Sequence, residues 1–273
     1  MDLTNLEQIL FYICYIGYSL ATVFFIVLYI NKNEKWGNNA RKILVISFIA
    51  HTISLIVRGI NAGRVPLTNQ FEFASSFAWG IALVFLIFNK KYQVETMGTF
   101  VSPILFLIIS YAAMRDKSIK PLMPALDSGW LIVHVSLAII SYGAFAVASG
   151  TSFMFISKQK AINNGGKDNS KIGLEDLDLI SYRAISLGFI FLSLVMITGA
   201  IWAESAWGRY WAWDPKETWS LITWIIYAIY LHLRRSRGWN GRRAAIFAIV
   251  GFISVVFTYV GVNTLLPSLH SYA

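Results

Sequence analysis

Long runs of apolar residues, separated by short polar segments, dominate the pattern along this chain. Eight runs have about the 17 to 25 residues that an α-helix needs to cross a bilayer. They lie near residues 9–30, 42–60, 73–89, 95–113, 130–156, 184–203, 218–233 and 244–262. The pattern therefore predicts an all-α membrane protein, a polytopic bundle of about eight transmembrane helices in a single domain over residues 1–273.

Basic residues are spread unevenly over the segments that connect these runs. When the segments are taken alternately, 16 of the 23 Lys and Arg residues fall in one set. The positive-inside rule places that set in the cytoplasm, so both termini are expected to be extracytoplasmic. The longest connection, about 157–183, is then a cytoplasmic loop, and the outer segments lie near 61–73, 114–130, 202–219 and 263–273.

Composition supports a membrane protein and narrows its chemistry. The chain is 56% hydrophobic and 14% charged, whereas soluble domains have about 25% charged residues. We interpret the net charge of +9 as membrane topology and expect no nucleic-acid partner. The single cysteine, Cys14, lies in the first apolar run, which excludes a disulfide framework, a C-x-x-C pair or a cysteine metal site within this chain.

Tryptophan is concentrated in one outer segment. Six of the ten tryptophans fall between Trp202 and Trp224. One interpretation is an aromatic belt at the membrane interface, although a belt would be spread over several segments. The other is a rigid shelf on which a flat, apolar ligand stacks, formed by Trp207, Trp211 and Trp213. The residues alone leave both interpretations open.

The chain has only four histidines, so each can be considered separately. An ionisable residue in a membrane span is a candidate functional group. His134 lies near the outer end of the fifth run, and His270 lies in the outer C-terminal segment. Two imidazoles on the tryptophan side would suit the axial positions of a haem iron. An interfacial histidine bonded to backbone is the alternative for each. His51, midway along the second run, is expected to make a polar contact inside the bundle.

If the ligand is a haem, its anionic propionates would pair with outer cations, with arginine preferred for carboxylates. The candidates are Arg58, Arg64, Arg209 and Lys216. Asp214 precedes Pro215, and we expect Asp214 and Glu217 to fix the start of the following helix.

The tryptophan segment resembles the WWD signature of the haem-handling proteins of cytochrome c biogenesis. The matching residues are Trp207, Gly208, Trp211, Trp213 and Asp214. Longer stretches resemble the CcsA/ResC family of these proteins, and they lie at 66–73, 129–145, 198–234 and 261–273. They are distributed over about the last three quarters of the chain, which implies a cytochrome c assembly domain over about 60–273.

This resemblance implies roles for individual residues. His134 and His270, one on each side of the WWD segment, are implied as axial ligands of the haem iron. His232, at the inner end of the seventh run, is implied to hold haem within the membrane together with a histidine of a ResB/CcsB-type partner protein. The remaining residues expected to contact haem are Trp207, Gly208, Arg209, Trp211, Trp213, Asp214 and Trp219.

The function implied by the resemblance is transport and presentation of haem b for covalent attachment to apocytochrome c, as part of a cytochrome c synthase, or haem lyase, complex. No acid or base catalyst is identifiable. A bacterial plasma membrane is expected, and a thylakoid membrane is compatible. Two alternative functions are a membrane b-type electron-transfer cytochrome and a solute transporter. The first needs haem ligands at matching membrane depth. The second is expected to have an internal repeat or broken helices.

Overall fold

The computed structural model describes residues 2–165 and 172–266, which form α-helices joined by short connections and contain no β-strand. The helices are α1 (Leu3–Asn31), α2 (Glu34–Ala62), α3 (Gln70–Tyr92), α4 (Gly98–Ala113), α5 (Gly129–Asn163), α6 (Leu174–Trp207), α7 (Pro215–Ser236), α8 (Gly241–Val256) and α9 (Val262–Leu265). A π-helical turn, Phe257–Gly261, joins α8 to α9. Short 3-10 turns precede α4 and α5 at Glu95–Met97 and Pro124–Leu126.

The predicted membrane fold is confirmed. Within the described ranges, seven helical segments are long and apolar enough to cross a membrane. The eighth predicted helix is present as α7 but is not among those seven, because charged residues occupy its first turn and its last turn. The extracytoplasmic placement of both termini stays a prediction.

The described residues divide into two compact units, the first ending at Met123 and the second beginning at Pro124. The first unit contains α1 to α4, and the second contains α5 to α9. The single transmembrane domain inferred from the sequence stays a prediction.

Two predicted connections are shorter than expected because helices extend into them. In the segment 157–183, α5 continues to Asn163 and α6 begins at Leu174. The carboxylate of Asp176 accepts a hydrogen bond from the backbone N–H of Gly173 at 3.1 Å, which caps the start of α6. In the segment 202–219, α6 continues to Trp207 and α7 begins at Pro215. Apolar runs mark only the membrane-embedded part of a helix, so these polar turns were not predicted.

A buried ionic network holds one end of the first unit together. The Arg58 guanidinium donates to the carboxylates of Glu7 at 2.7 Å and Glu72 at 3.0 Å. Arg64 donates to the second oxygen of Glu72 at 3.0 Å. Arg58 also donates to the backbone carbonyl of Lys117 at 3.1 Å. The network therefore ties α1, α2 and α3 to the segment that follows α4.

Aromatic stacking between two glycines joins the four long helices of the second unit. The rings of Phe145 on α5 and Tyr227 on α7 are stacked, with centroids 3.7 Å apart and planes 3° apart. Gly188 on α6 packs against the first ring and Gly251 on α8 against the second, so that an added Cβ at either glycine would lie 2.6 Å from a ring carbon. The stack therefore holds the helices together at the middle of this unit, and the two ends of the unit take no part in it.

Candidate functional site

His134 lies in the second turn of α5 and is held against the second half of α6. Its ring Nδ1 is 2.9 Å from the backbone carbonyl oxygen of Val195. The ring also stacks on the indole of Trp202, with centroids 6.1 Å apart and planes 25° apart. The imidazole is partly exposed. The structure therefore gives His134 a fixed orientation at one end of the second unit.

The hydrogen bond to Val195 also sets the tautomer of His134. A carbonyl oxygen only accepts, so Nδ1 must carry the hydrogen and donate it. In the neutral ring, Nε2 then holds the lone pair. Histidines that bind metals usually donate the other ring N–H to a carbonyl or carboxylate in this way. The neutral form of His134 is therefore the tautomer that binds a metal through Nε2.

Gly199 provides the space that the His134 ring occupies. A Cβ at this position would lie 2.7 Å from Cε1 and 2.8 Å from Nδ1 of His134. We expect Gly199→Ala to push the ring away and weaken the bond to Val195. Because such a bond contributes about 1 kcal/mol, the preference for the Nδ1–H tautomer should fall about fivefold. Nitrogen-15 chemical shifts of the His134 ring in the solubilised protein would report this change.

Gly129→Ala is the matched control for that substitution, since an added Cβ there would meet nothing within 4 Å. Its His134 spectrum should equal that of the wild type. An unshifted spectrum for Gly199→Ala would show that the close packing does not position the ring.

Trp202 connects His134 to the tryptophan cluster. It is 1% exposed, and its indole N–H donates to the backbone carbonyl of Ala125 at 2.9 Å. Its ring meets that of Trp207 edge-on, with centroids 4.8 Å apart. His134, Trp202 and Trp207 therefore form a continuous series of rings where the start of α5 meets the end of α6.

The connection between α6 and α7 is fixed by a capping box, as expected for Asp214 and Glu217. The Asp214 carboxylate accepts from the backbone N–H of Lys216 at 3.0 Å, and Glu217 accepts from those of Asp214 at 3.2 Å and Ala212 at 2.8 Å. Gly208 ends α6 at φ 71°, in the left-handed region that glycine adopts readily. The loop therefore has a defined conformation.

Trp211 and Trp213 are perpendicular, with centroids 5.6 Å and planes 89° apart, and the rigid shelf for a flat ligand stays a prediction. Trp213 is 70% exposed and has a φ of 57°. A non-glycine residue in that region is strained, and such strain clusters at functional sites. Trp211 has a buried indole N–H without a hydrogen-bond partner among the described residues. Both rings therefore suit ligand contact better than packing.

Trp219, in the second turn of α7, packs against Phe257, the first residue of the π-helical turn after α8, with ring centroids 4.2 Å apart. Aromatic rings thus gather where α5 and α7 start and where α6 and α8 end. A cluster of this kind offers an apolar, partly exposed surface to a large flat ligand.

Two of the predicted cations differ in their surroundings. Arg209 is exposed in the loop and could meet an anion there. Burial lowers the pKa of Lys216 to about 8, and the nearby Asp214 opposes that shift. Arg58 and Arg64, the other two candidates, are already paired with Glu72 in the first unit.

The other predicted histidines lie elsewhere. His232 is exposed near the end of α7, roughly 20 Å along the helix axis from Trp219. Nearby, Arg234 forms an ion pair with Asp178 of α6, which also accepts from the backbone N–H of Gly241 at 3.0 Å. His232 is therefore at the opposite end of the second unit from His134. His270 lies outside the described residues, so its pairing with His134 stays a prediction.

His51 makes the polar contacts inside the bundle that were expected of it. The ring is buried in the first unit, with Nε2 2.8 Å from the Ser75 hydroxyl and Nδ1 3.3 Å from the Tyr18 hydroxyl. Both ring nitrogens are engaged by side chains, so His51 is a structural residue in this conformation.

Sequence reasoning missed three supporting residues of the site. Val195 acts through its backbone, and Gly199 acts through the absence of a side chain, so neither carries a chemical signature. Trp202 was counted within the tryptophan cluster, but its contact with His134 depends on how α5 packs against α6. A search for small or aromatic residues one or two turns before the WWD segment could have found Gly199 and Trp202.

Comparisons with known proteins give consistent matches. Residues 67–270 match the family model described as Cytochrome C assembly protein. A Cytochrome c biogenesis protein CcsA from Prochlorococcus marinus (strain MIT 9301) is 39% identical over 258 residues, covering 85% of this chain and 84% of that protein. The protein of the same name from Chlamydomonas reinhardtii is 38% identical over 239 residues, covering 85% of this chain and 67% of that protein.

A solved structure with a similar fold is named Cytochrome c Heme Lyase CcmF. The TM-score is 0.77 and the alignment covers 98% of this chain at 15% sequence identity. The chain spans 48% of that protein, about half of its length. At this identity the likeness concerns the fold alone.

Proposed function

The chain belongs to the cytochrome c assembly protein family, among the CcsA cytochrome c biogenesis proteins, and on this premise we propose that it presents haem b at the aromatic end of its second unit for attachment to apocytochrome c. The family predicted from the sequence is confirmed. The protein is a multi-pass membrane protein of cytochrome c biogenesis. The steps that it performs are the subject of the proposal.

The observation that carries the proposal is the fixed tautomer of His134. The Nδ1–H donates to Val195 at 2.9 Å, so the lone pair of the neutral ring is on Nε2, the nitrogen that would bind the haem iron in this proposal. Trp202 stacks on the same ring and limits its rotation. The orientation of His134 and the tautomer of its neutral ring therefore both suit an axial ligand.

The second axial ligand in this proposal is His270. Three tryptophans would surround the porphyrin: the exposed Trp213, Trp211 with its buried indole N–H, and Trp219. Arg209 would pair with a propionate. His232 would hold haem at the inner end together with a histidine of a ResB/CcsB-type partner. Haem would thus pass from an inner site to an outer site of the same protein.

The role of this chain is to bind and orient, and the reactive groups belong to the haem and the apocytochrome. Covalent attachment adds each cysteine S–H of the apocytochrome across a haem vinyl double bond, which forms a thioether and consumes no other reactant. The single cysteine of this chain, Cys14, is buried in α1, so the thiols come from the apocytochrome. Positioning by the protein, with chemistry supplied by the cofactor, is the usual division of roles.

The membrane concerned is proposed to be the bacterial plasma membrane. The relatives include proteins from a cyanobacterium and from a green alga, so a thylakoid membrane fits the same proposal.

The test is co-expression of the chain with a ResB/CcsB-type partner and an apocytochrome c in a host without its own assembly proteins, followed by measurement of covalent haem. We expect His134→Ala to reduce holocytochrome about tenfold or more, comparable to the losses that follow damage to a metal ligand's support. Added imidazole should restore much of it, because the free base can occupy the position of the lost ring.

His51→Gln is the control, since it removes a histidine of the first unit, and any loss that it causes should not respond to imidazole. Undiminished holocytochrome with His134→Ala would refute the proposed ligand. If the purified wild type instead keeps haem stoichiometrically and exchanges electrons with a quinone, the protein is a b-type electron carrier.

A further inference from the structure

A cavity of about 620 Å³ opens on the first unit, between the early turns of α2 and the last turns of α3. Its apolar wall is formed by Val45 and Ile46 of α2 and Leu86 of α3. The volume falls within the roughly 300–1,000 Å³ that is typical of small-molecule sites. The cavity lies in a different unit from the tryptophan cluster, and the proposed function makes no use of it.

Asn89 lines this cavity with a buried amide side chain. The side chain is 2% exposed. Neither its amide nitrogen nor its amide oxygen has a hydrogen-bond partner among the described residues. Buried polar side chains are nearly always paired. Asn89 therefore offers one strong donor and one strong acceptor to a polar group that enters the cavity.

Three cations surround the same cavity: Arg41, Lys42 and Lys90. Arg41 lies 3.7 Å from Glu95, in a partly exposed ion pair. Lys42 and Lys90 form no ion pair within the described ranges. The cavity therefore combines an apolar wall, an unpaired amide and an excess of positive charge. We call it the basic groove.

We propose that the basic groove binds an anionic phospholipid, with the phosphate among the cations and Asn89 and an acyl chain along the apolar wall. Ile46 is 64% exposed on α2, so the wall is open to the surrounding lipid. The groove lies near the start of α2 and the end of α3, and the ends of spanning helices are where lipid head groups are expected. Basic pockets between helices on the cytoplasmic side are the usual place for such lipids.

Charge and shape both favour a phospholipid over other anions. A free phosphate would use the cations but not the apolar wall. A zwitterionic lipid would bring an ammonium group next to Lys42 and Lys90, whereas an anionic lipid carries no such repulsion. The positive-inside pattern places these lysines on the predicted inner face, where the leaflet is negatively charged.

The test uses the purified full-length protein in detergent and measures lipid binding by native mass spectrometry. Dioleoylphosphatidylglycerol should bind more tightly than dioleoylphosphatidylcholine. Lys42→Gln/Lys90→Gln should weaken phosphatidylglycerol binding about 25-fold, which is about fivefold for each lysine near a charged head group. Asn89→Asp, which keeps the side-chain size and adds a negative charge, should weaken it in the same direction.

Lys32→Gln/Lys35→Gln is the matched control, because it removes the same charge from exposed positions outside the groove. This control should keep the preference for phosphatidylglycerol. Equal binding of the two lipids, or equal losses in the two lysine pairs, would overturn the proposal. Two other results would show that a lipid is not the occupant. In the first, inorganic phosphate competes as strongly as the lipid. In the second, haemin displaces the lipid at lower concentration.

Discussion

Arg58→Met should lower the free energy of unfolding by about 3–5 kcal/mol, the cost of leaving a buried charge without its partner. The Arg58 side chain is 2% exposed and the Glu7 side chain 4% exposed, with 2.7 Å between their charged atoms. Methionine fills much of the volume of arginine, so the loss comes from the charge. Glu72 would keep Arg64 at 3.0 Å, whereas Glu7 would lose the cation that contacts it.

Unfolding of the solubilised protein by denaturant, followed by circular dichroism, would measure this effect. The control is Lys120→Gln, which breaks an exposed ion pair with Asp116 at 3.1 Å. Exposed pairs contribute about 0–1 kcal/mol, so this variant should unfold close to the wild type. Similar stabilities for the two variants would show that the buried network does not hold the first unit together.

A second substitution separates the charge from the packing. In Arg58→Met/Glu7→Leu, the stranded carboxylate is removed together with its partner. Replacing both members of a buried pair by apolar groups is often nearly neutral. The double variant should therefore recover much of the stability lost in Arg58→Met. If the losses of unfolding free energy measured for Arg58→Met and for Glu7→Leu alone add up in the double variant, the two residues do not interact.

The same network shows what the sequence can and cannot predict about this fold. Apolar runs predicted the helices because the bilayer imposes one length and one composition on every span. Arg58 and Glu7 are 51 positions apart, and no periodicity links them. From the sequence, Arg58 was one of several outer cations available for a ligand. Only the packing of α1 on α2 shows that its charge is already used.

Helix ends differ from their prediction for a related physical reason. The start of α6 at Leu174 and its end at Trp207 lie beyond the apolar run predicted at 184–203. The extra turns are stabilised by capping, as at Gly173 and Asp176, and by packing of rings. Such contacts depend on a few local residues, whereas the apolar run depends on membrane thickness. The capping box at Asp214 and Glu217 was predictable because its spacing is fixed.

The candidate site likewise combines features that the sequence predicts with features that it does not predict. His134 was predicted from its residue type and its position near the outer end of a span. Its tautomer was not predictable, because it depends on a backbone carbonyl, that of Val195, 61 positions away. The perpendicular arrangement of Trp211 and Trp213, with Trp213 in the αL conformation, was not predictable either. Ring orientation is set by backbone dihedrals, which the spacing of tryptophans does not specify.

Trp202→Ala should lower the free energy of unfolding by about 3–5 kcal/mol, the usual cost of truncating a buried tryptophan. The ring is 1% exposed, and the substitution would also leave the Ala125 carbonyl without the N–H donor at 2.9 Å. His134 would lose the ring that stacks on it. The free energy of unfolding measured with denaturant and the amount of holocytochrome formed should therefore fall together.

Trp213→Ala is the matched control, because Trp213 belongs to the same cluster but is 70% exposed. Surface truncations usually change stability by about 0.5 kcal/mol or less, so this variant should unfold like the wild type. If its ring contacts haem as proposed, holocytochrome should still decrease, which separates ligand contact from folding. Trp202→Phe restores an aromatic ring without the N–H donor, and its stability should fall between those of Trp202→Ala and the wild type. Equal stability of Trp202→Ala and Trp213→Ala would show that the Trp202 contacts do not support the site, because burial is the property in which the two positions differ most.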